Sequence, residues 1–373
     1  MLKKINASLN EKLQNVQWGE YRIGDLFDSE NGDFDIQKRH INDLGEYVIT
    51  AGLTNDGVLG KTNINAKIIE GNTITIDMFG NSFYRQFKYK MVTHARVFSL
   101  IPKFNMNKKQ GLYIVNSFKY LMFDFGYENM CSWAKIQNNI IQLPTKDGEI
   151  DFEFMESFIS ELEEERISEL SAYLKVSGLD NYELSNEEKE VLENIERLEW
   201  KEYNLEELFG KSTRGKRLKS DDRIVGCLPF VTAGEANTGI SDFIGNNVEV
   251  FSKNTITIDM FGSAKYRNYN YGADDHIAVV HTEKINPKSA IFVTSAIHKS
   301  SYNGQFNYGH NFYAKDADSL NIMLPTKNNE IDFSYMELLI SAVQKLVIKD
   351  VVLYTDQKID ATKKVTMKKE IKE

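Results

Sequence analysis

The nonapeptide NTITIDMFG occurs twice, at Asn72–Gly80 and again without a single change at Asn254–Gly262. Both copies run on to a Tyr-Arg pair, Tyr84-Arg85 in the first and Tyr266-Arg267 in the second. Each copy consists of a β-prone run, one aspartate and a closing glycine. Three interpretations follow: an active site present twice, a phosphate-binding loop, or one piece of a duplicated scaffold.

Other residues repeat at the same offset of 182 as the nonapeptide. These are Trp18 with Trp200, Leu26-Phe27 with Leu208-Phe209, Thr50-Ala51-Gly52 with Thr232-Ala233-Gly234, Gly57 with Gly239, and His94 with His276. After one net deletion the offset is 181, and Leu143-Pro144-Thr145-Lys146 matches Leu324-Pro325-Thr326-Lys327. A unit of about half the chain is therefore present twice, which favours the scaffold interpretation.

The length and composition indicate a globular protein with two domains. A chain of 373 residues is too long for one ordinary core. No run approaches the roughly 18 apolar residues of a membrane-spanning helix, and the N-terminal lysines precede no apolar segment, so we expect no signal peptide. The two cysteines, Cys131 and Cys227, lie in non-equivalent places, which favours reduced thiols in a cytoplasmic protein.

The net charge of −9 hides an uneven distribution. Residues 149–199 contain 17 Asp/Glu and 4 Lys/Arg, a local net charge of −13, so the rest of the chain has a net charge of +4. Nucleic-acid binding depends on local positive surface, and the acidic overall charge therefore does not exclude it.

Each unit changes once from a strand pattern to a helix pattern. Short apolar runs between Gly, Asn and Asp precede the Leu-Pro pair, and apolar residues at helical spacing follow it, as at Met155, Phe158 and Leu162. In the second unit the same spacing predicts an apolar stripe at Met336, Leu339/Ile340, Val343, Leu346/Val347 and Val351. The predicted domains are a first mixed globular domain at 1–150, a central helical spacer at 151–198, a second mixed globular domain at 199–331 and a C-terminal helical spacer at 332–373.

Two arrangements of the spacer helices are compatible with their apolar stripes. Each helix could pack on its own domain, or the two could pair antiparallel and hold the domains apart. We favour pairing, because each stripe is longer than a small domain can cover. The predicted fold class is α+β: two repeated mixed α/β domains separated by long helices that pair as an antiparallel coiled coil with pseudo-two-fold symmetry.

The familiar catalytic and cofactor motifs are missing from the sequence. Gly60-Lys61-Thr62 resembles the end of a phosphate-binding loop, but Asn55 stands where that motif needs glycine. No Cys/His cluster has zinc spacing, and no GxSxG, HExxH or dinucleotide-binding glycine pattern occurs. We therefore predict no catalytic residue, no metal site and no cofactor in this chain.

The remaining catalytic candidates are pairs of equivalent residues. His94 and His276 have different neighbours, whereas a retained catalytic site would keep its partners. Asp77 and Asp259 follow a strand, where we expect each carboxylate to bond the Met-Phe-Gly turn. A duplicated Asp/His hydrolase or nuclease remains as an alternative.

Basic loops interleaved with tyrosines are the strongest functional signal, because Lys and Arg reach phosphates and guanine edges. These loops recur at matching positions of the two units but consist of different residues. This is expected if each unit binds a different DNA sequence. Solvated loop charges are the simpler interpretation of any single residue. The predicted DNA-binding residues are Lys38, Arg39, Tyr84, Arg85, Lys88, Lys90, Lys211, Arg214, Lys216, Arg217, Lys219, Lys265, Tyr266 and Arg267.

The chain resembles the DNA-specificity (S, or HsdS) subunits of type I restriction-modification systems, and in particular the BcgI-like type II variant. The two ITIDMFG…YR phrases, Gly215-Lys216-Arg217-Leu218, the two TAG turns and the two Leu-Pro exits carry this resemblance over nearly the whole chain. It implies two target recognition domains, each reading one half of a split DNA sequence, and spacer helices that set the gap between the halves.

The resemblance also implies the partners. These are double-stranded DNA, two methyltransferase (modification) subunits that bring S-adenosylmethionine and the chemistry, and restriction subunits as a further possible component; no membrane is involved. The central spacer departs from the family pattern by a second acidic stretch, 185–198, which either alters the docking surface or leads into the second domain. An orphan paralogue that docks on a methyltransferase without reading DNA is the other alternative.

Overall fold

The computed structural model describes residues 7–370, with side chains described for residues 7–363. The chain divides into two compact units, one made of residues 1–170 and 358–373 and the other of residues 171–357. Within the described residues, no helix is both long enough and apolar enough to cross a membrane.

Among its described residues, the first unit contains ten strands and six α-helices, besides one-turn 3₁₀ helices. The strands are β1 (Trp18–Arg22), β2 (Phe27–Asn31), β3 (Glu46–Ile49), β4 (Val58–Thr62), β5 (Thr73–Ile76), β6 (Ser82–Arg85), β7 (Tyr89–Met91), β8 (Phe98–Pro102), β9 (Ile140–Lys146) and β10 (Glu149–Ile150). The helices are α1 (Ala7–Asn15), α2 (Ile23–Leu26), α3 (Lys108–Ile114), α4 (Leu121–Asp124), α5 (Trp133–Ile136) and α6 (Phe152–Val176), whose last residues belong to the second unit.

The second unit repeats the order of the strands. Its strands are β11 (Glu199–Asn204), β12 (Thr213–Arg214), β13 (Val225–Val231), β14 (Ile240–Ile244), β15 (Thr255–Asp259), β16 (Ala264–Arg267), β17 (Gly272–Ala273), β18 (Ile277–Val280), β19 (Asn321–Lys327) and β20 (Glu330–Ile331). Its helices are α7 (Asn186–Glu193), α8 (Leu205–Phe209), α9 (Pro287–Ser301), α10 (Ala314–Asp318) and α11 (Phe333–Glu370), whose last turns belong to the first unit.

The sheets have the same topology in both units. The first unit has sheets β1-β9-β10, β2-β8-β5-β6 and β4-β3-β7, and the second has β11-β19-β20, β12-β18-β15-β16 and β14-β13-β17. All pairs are antiparallel except β3 with β7 and β13 with β17, which are parallel in both units. The duplication predicted from the sequence is therefore confirmed strand by strand, and so is the α+β class.

The repeated nonapeptide forms the central strands β5 and β15. In β5 the side chains of Ile74 and Ile76 are fully buried, and in β15 so are those of Ile256 and Ile258. The glycine that ends each phrase has a positive φ, 80° at Gly80 and 85° at Gly262. A Cβ on Gly80 would lie 2.4 Å from a backbone oxygen, so the close approach requires glycine.

The first turns of the long helices pack against their own units. Met155, Phe158 and Ile159 of α6 belong to the core of the first unit, and Met336 of α11 belongs to the core of the second. Farther along α11, however, the apolar stripe predicted from the sequence is exposed at Val343, Leu346, Val347 and Val351. Ala342, Val352 and Thr355 are buried instead, so the buried face of α11 is rotated from the predicted one.

The second acidic stretch of the central spacer forms α7, which packs on α11 within the second unit. Ser185 caps α7 by accepting a hydrogen bond from the Glu188 amide. The Glu188 carboxylate is buried and lies 2.8 Å from Lys345 Nζ, and the Tyr335 hydroxyl donates to the Val191 carbonyl at 3.4 Å. This stretch is thus attached to the second unit and leads into β11.

Candidate nucleic-acid interface

The two polar residues that begin the repeated phrase are hydrogen-bonded within their own unit. In the first unit Asn72 Oδ1 accepts a hydrogen bond from the Tyr84 hydroxyl at 2.6 Å, and the hydroxyls of Thr73 and Tyr89 bond at 2.7 Å. In the second unit Tyr266 bonds Asn254 at 2.9 Å in the same way. The phrase and the Tyr-Arg pair therefore lock together as one β-hairpin, twice.

The aspartate of each phrase holds two turns together. Asp77 Oδ1 accepts from the amides of Phe79 at 2.9 Å and Asn81 at 3.0 Å, and its Oδ2 accepts from the amide of Gly52 at 2.8 Å. Asp259 makes the matching bonds to Phe261, Ser263 and Gly234. The predicted bond between these aspartates and the Met-Phe-Gly turn is confirmed, and every carboxylate oxygen is used structurally.

The two equivalent histidines have different roles. His94 Nδ1 bonds the Asp35 carboxylate, and this hydrogen bond holds the pKa of Asp35 below its usual range. His276 instead lies 3.8 Å from Asp275, its neighbour in the chain. Because neither carboxylate is the aspartate of the repeated phrase, the two units share no Asp/His dyad among their described contacts.

Arg85 and Arg267 require a correction, because the sequence predicted them as DNA contacts and both are buried. Arg85 Nε donates to Thr75 Oγ1 at 2.8 Å, and its Nη2 donates to the Asp56 carbonyl at 2.6 Å. Burial lowers the pKa of Arg85 to about 10. Arg267 bonds Thr257 Oγ1 at 2.9 Å in the same manner. Arg85 thereby fastens the loop before β4, and Arg267 Nη1 donates to the Tyr269 hydroxyl at 2.9 Å. Both arginines are held inside their own unit rather than project into solvent.

Four further predicted residues also face their own unit. Tyr84 and Tyr266 are half-buried, and burial raises the pKa of both hydroxyls. Lys90 is buried, and its ammonium donates to the carbonyls of Thr62 and Ile64. Lys265 is 13% exposed and lies 3.1 Å from Glu235 and 3.6 Å from Asp259. These side chains are part of the scaffold because their polar atoms already have partners.

The other predicted residues of the first unit lie at the surface. Lys38 and Arg39 are exposed on the one-turn helix Lys38–His40. Lys88 is exposed as well, but its ammonium pairs with Glu70 at 2.9 Å. Of the DNA-binding residues predicted in this unit, Lys38 and Arg39 therefore form the exposed basic site.

In the second unit all the predicted residues of the basic loop are exposed. The residues concerned are Lys211, Arg214, Lys216, Arg217 and Lys219. Two backbone hydrogen bonds, from Gly215 to Ile277 and from Lys216 to Ala273, fix the middle of the loop against the sheet. Lys216 is 83% exposed with its nearest carboxylate, Glu249, at 4.0 Å, so its charge faces solvent.

Two exposed tyrosines, Tyr127 and Tyr308, were not among the DNA-binding residues predicted from the sequence. Tyr127 is 76% exposed, with its ring edge-on to Phe79 at 4.9 Å, and Tyr308 is 84% exposed, edge-on to Phe261 at 5.2 Å. Both loops are tied to the repeated phrase by a backbone bond, from Cys131 to Met78 in one unit and from Phe312 to Met260 in the other. The available signal was the pattern Phe-X-Tyr at 125–127 and 306–308.

One group of side chains has the geometry to hold a cation. Among the described residues, ligand atoms of Asp274, Asp275 and His276 lie within 4.8 Å of one another. Arg214 Nη2 lies 3.5 Å from Asp275 and competes for that carboxylate.

Burial raises the pKa of the Cys131 thiol to about 12, which removes it as a nucleophile at neutral pH.

Comparison with known proteins places this geometry among proteins of one kind. Residues 15–172 and 197–352 match the family described as the type I restriction modification DNA specificity domain. The type II restriction enzyme specificity subunit S.BcgI of Heyndrickxia coagulans is 23% identical over 340 residues, which cover 89% of this chain and 96% of that protein. The S subunit of a type I restriction-modification system from M. genitalium superposes with a TM-score of 0.53 at 15% identity, covering 97% of this chain and 95% of that one.

Proposed function

The chain belongs to the type I restriction modification DNA specificity domain family, and we propose that it reads a bipartite DNA target with one unit for each half. It is a DNA sequence-recognition subunit of a restriction-modification system and is not itself catalytic. One observation supports the proposal that each unit recognises one half of the target: the scaffold is the same in both units, whereas the exposed loops differ. The hydrogen bonds of Asp77 and Arg85 recur at Asp259 and Arg267, while the exposed basic loops differ in letters.

The exposed cations supply the affinity for DNA in this proposal. Lys38 and Arg39 in the first unit, and the loop Lys211–Lys219 in the second, neutralise phosphates, and this contribution weakens steeply as salt rises. Base-edge contacts at each half-site supply the sequence preference. Two units on one chain keep the spacing of the two halves constant.

The modification chemistry comes from partners. We propose that two methyltransferase subunits bind this chain, that they carry S-adenosylmethionine, and that restriction subunits join the same assembly. The exposed apolar stripe of α11, made of Val343, Leu346, Val347 and Val351, supports a docked protein, because such stripes on helices are normally covered. The proposed compartment is the cytoplasm, where cellular DNA and reduced thiols such as Cys131 and Cys227 occur together.

Methylome sequencing of cells with and without this chain tests the proposal. We expect a split motif, two short words separated by a fixed gap, to be methylated only when the chain is present. A chain that co-purifies with a methyltransferase and leaves its sequence preference unchanged would identify a docking paralogue that reads no DNA.

A further inference from the structure

The lining of a groove beside Tyr127 in the first unit includes an arginine, Arg96, that forms no ion pair with any described carboxylate. The groove has a volume of about 800 Å³, and Tyr127, Trp133 and Arg96 contribute to its lining. Arg96 is exposed, and its Nη1 lies 3.0 Å from the sulfur of Met130, a weak acceptor. Glu128 also lines the groove, but no carboxylate among the described side chains forms an ion pair with Arg96.

The backbone at Arg96 is strained. Its φ is 51°, in the left-handed region that is unfavourable for a long side chain such as that of arginine, and its amide closes a turn by donating to the Thr93 carbonyl at 3.0 Å. The strain therefore points to a role for the guanidinium outside the fold.

In the second unit an arginine also lies at this edge of the sheet, but it comes from strand β12 and not from the loop before β18. Strand pairing sets Asn31, which lines the groove of the first unit, opposite Phe98, and it sets Arg214 opposite Ala278. Phe98 and Ala278 are equivalent, because they face Ile76 and Ile258 of the repeated phrase. Arg214 thus takes the place of Asn31, with its guanidinium half-exposed and 5.9 Å from the ring of Tyr313.

We propose that the exposed tyrosine of each unit, together with Arg96 in the first unit and Arg214 in the second, contacts the bases of that unit's half-site. Tyr127 and Tyr308 make the same contact at both half-sites, by packing on a sugar or an unstacked base. Arg96 and Arg214 read base edges that differ between the half-sites.

The division of roles follows from the repeat. Residues that keep the same geometry in both units cannot distinguish two different words, so the shared tyrosines make contacts that do not depend on sequence. Arginines that arise from unequal positions reach different base pairs. This inference rests on the proposed function, because it assigns residues to the reading that the function requires.

The test uses the full chain and duplexes selected by the wild-type protein from a random library. Arg96→Asn keeps the left-handed turn, since Asn tolerates positive φ, but removes the guanidinium. We expect it to lower discrimination about tenfold at one or two base pairs of one half-site, without lowering the unfolding temperature. Tyr127→Ala should weaken binding about tenfold whatever bases stand in that half-site, and Tyr127→Phe should bind like wild type.

Arg22→Gln is the matched control, because Arg22 is an exposed arginine of the same unit whose charge is paired with Asp25 at 2.6 Å. Unchanged discrimination in Arg96→Asn together with unchanged affinity in Tyr127→Ala would overturn the inference and leave the proposed function intact. A wild-type chain that selects no common sequence would overturn both, so the two failures are distinguishable.

Discussion

The carboxylate of Asp77 accepts a hydrogen bond from the backbone amide of Gly52 at 2.8 Å, which joins the repeated phrase to a turn 25 residues earlier. In the second unit Asp259 accepts the same bond from Gly234 at 3.2 Å. The turn held in this way contains two successive residues in the left-handed conformation, Asn55 and Asp56, and costs energy to keep in place. The repeated phrase therefore holds a surface loop in place, and it is identical in the two units because it has the same structural role in both.

Asp77→Asn should destabilise the chain by about 1–3 kcal/mol, because the amide keeps one acceptor oxygen where the carboxylate uses two. Urea unfolding measures this change. Asp43→Asn is the control, since Asp43 is exposed and its left-handed backbone suits asparagine. Equal free energies of unfolding for wild type and Asp77→Asn would contradict the fastening role.

The same substitution separates a structural aspartate from a catalytic one. The purified chain should show no magnesium-dependent cleavage of DNA, before or after Asp77→Asn. Cleavage by the wild-type chain that disappears in Asp77→Asn would revive the hydrolase interpretation.

Arg85→Lys should lower the unfolding temperature nearly as much as Arg85→Ala. A single ammonium cannot reach both Thr75 Oγ1 and the Asp56 carbonyl, so a buried acceptor is left without a donor at a cost of about 1–3 kcal/mol. Lys88→Ala is the comparison, because its exposed ion pair with Glu70 contributes about 0–1 kcal/mol. A normal unfolding temperature in Arg85→Lys with reduced DNA affinity would show that Arg85 contacts DNA after all.

The contact between α7 and α11 should weaken in acid. Burial works to raise the pKa of Glu188, but hydrogen bonds from Lys345 and from the Ser185 amide outweigh it and hold the pKa below its usual value. The contribution of Glu188 to stability is therefore present above about pH 4.5 and is lost as the pH falls through the lowered pKa.

Hydrogen exchange of the α7 amides against pH measures this effect. Glu188→Gln should remove most of the pH dependence, whereas Glu190→Gln, at an exposed position of the same helix, should leave it unchanged. Protection of α7 that is constant down to pH 3 would contradict the role given to Glu188.

The basic loop of the second unit should govern the salt dependence of DNA binding. Lys216→Ala and Arg217→Ala should each reduce the slope of log affinity against log salt by about one if the side chain contacts a phosphate. Fluorescence anisotropy at several salt concentrations measures the slope. Lys299→Ala, an exposed lysine on α9 outside that loop, should not change it.

Most of the fold and function could be predicted from two features of the sequence, the internal repeat and the lack of catalytic motifs. The equal letters at Asp77 and Asp259 correctly indicated scaffold, and the missing motifs agreed with a non-catalytic subunit. The direction of a side chain could not be predicted from letters alone. A Tyr-Arg pair after a glycine turn looks the same whether Arg85 bonds Thr75 inside the sheet or reaches DNA outside it.

Two other errors have equally physical causes. The apolar residues of α11 form a stripe at Val343 and Val347, but the buried face passes through Ala342 and Val352, because small residues allow close packing and a partner can cover the exposed ones. Tyr127 and Tyr308 were missed because the flanking letters of their loops differ, although both tyrosines stand on the phenylalanine of the repeated phrase.

The central claim, that each unit reads its own half of a split target, is tested most directly by methylome sequencing of cells that carry the Arg96→Asn chain together with its modification subunit. The wild-type chain should give two short words at a fixed gap, and Arg96→Asn should relax one word while the other word and the gap stay the same. Loss of both words together, or a single continuous motif in the wild type, would contradict the claim.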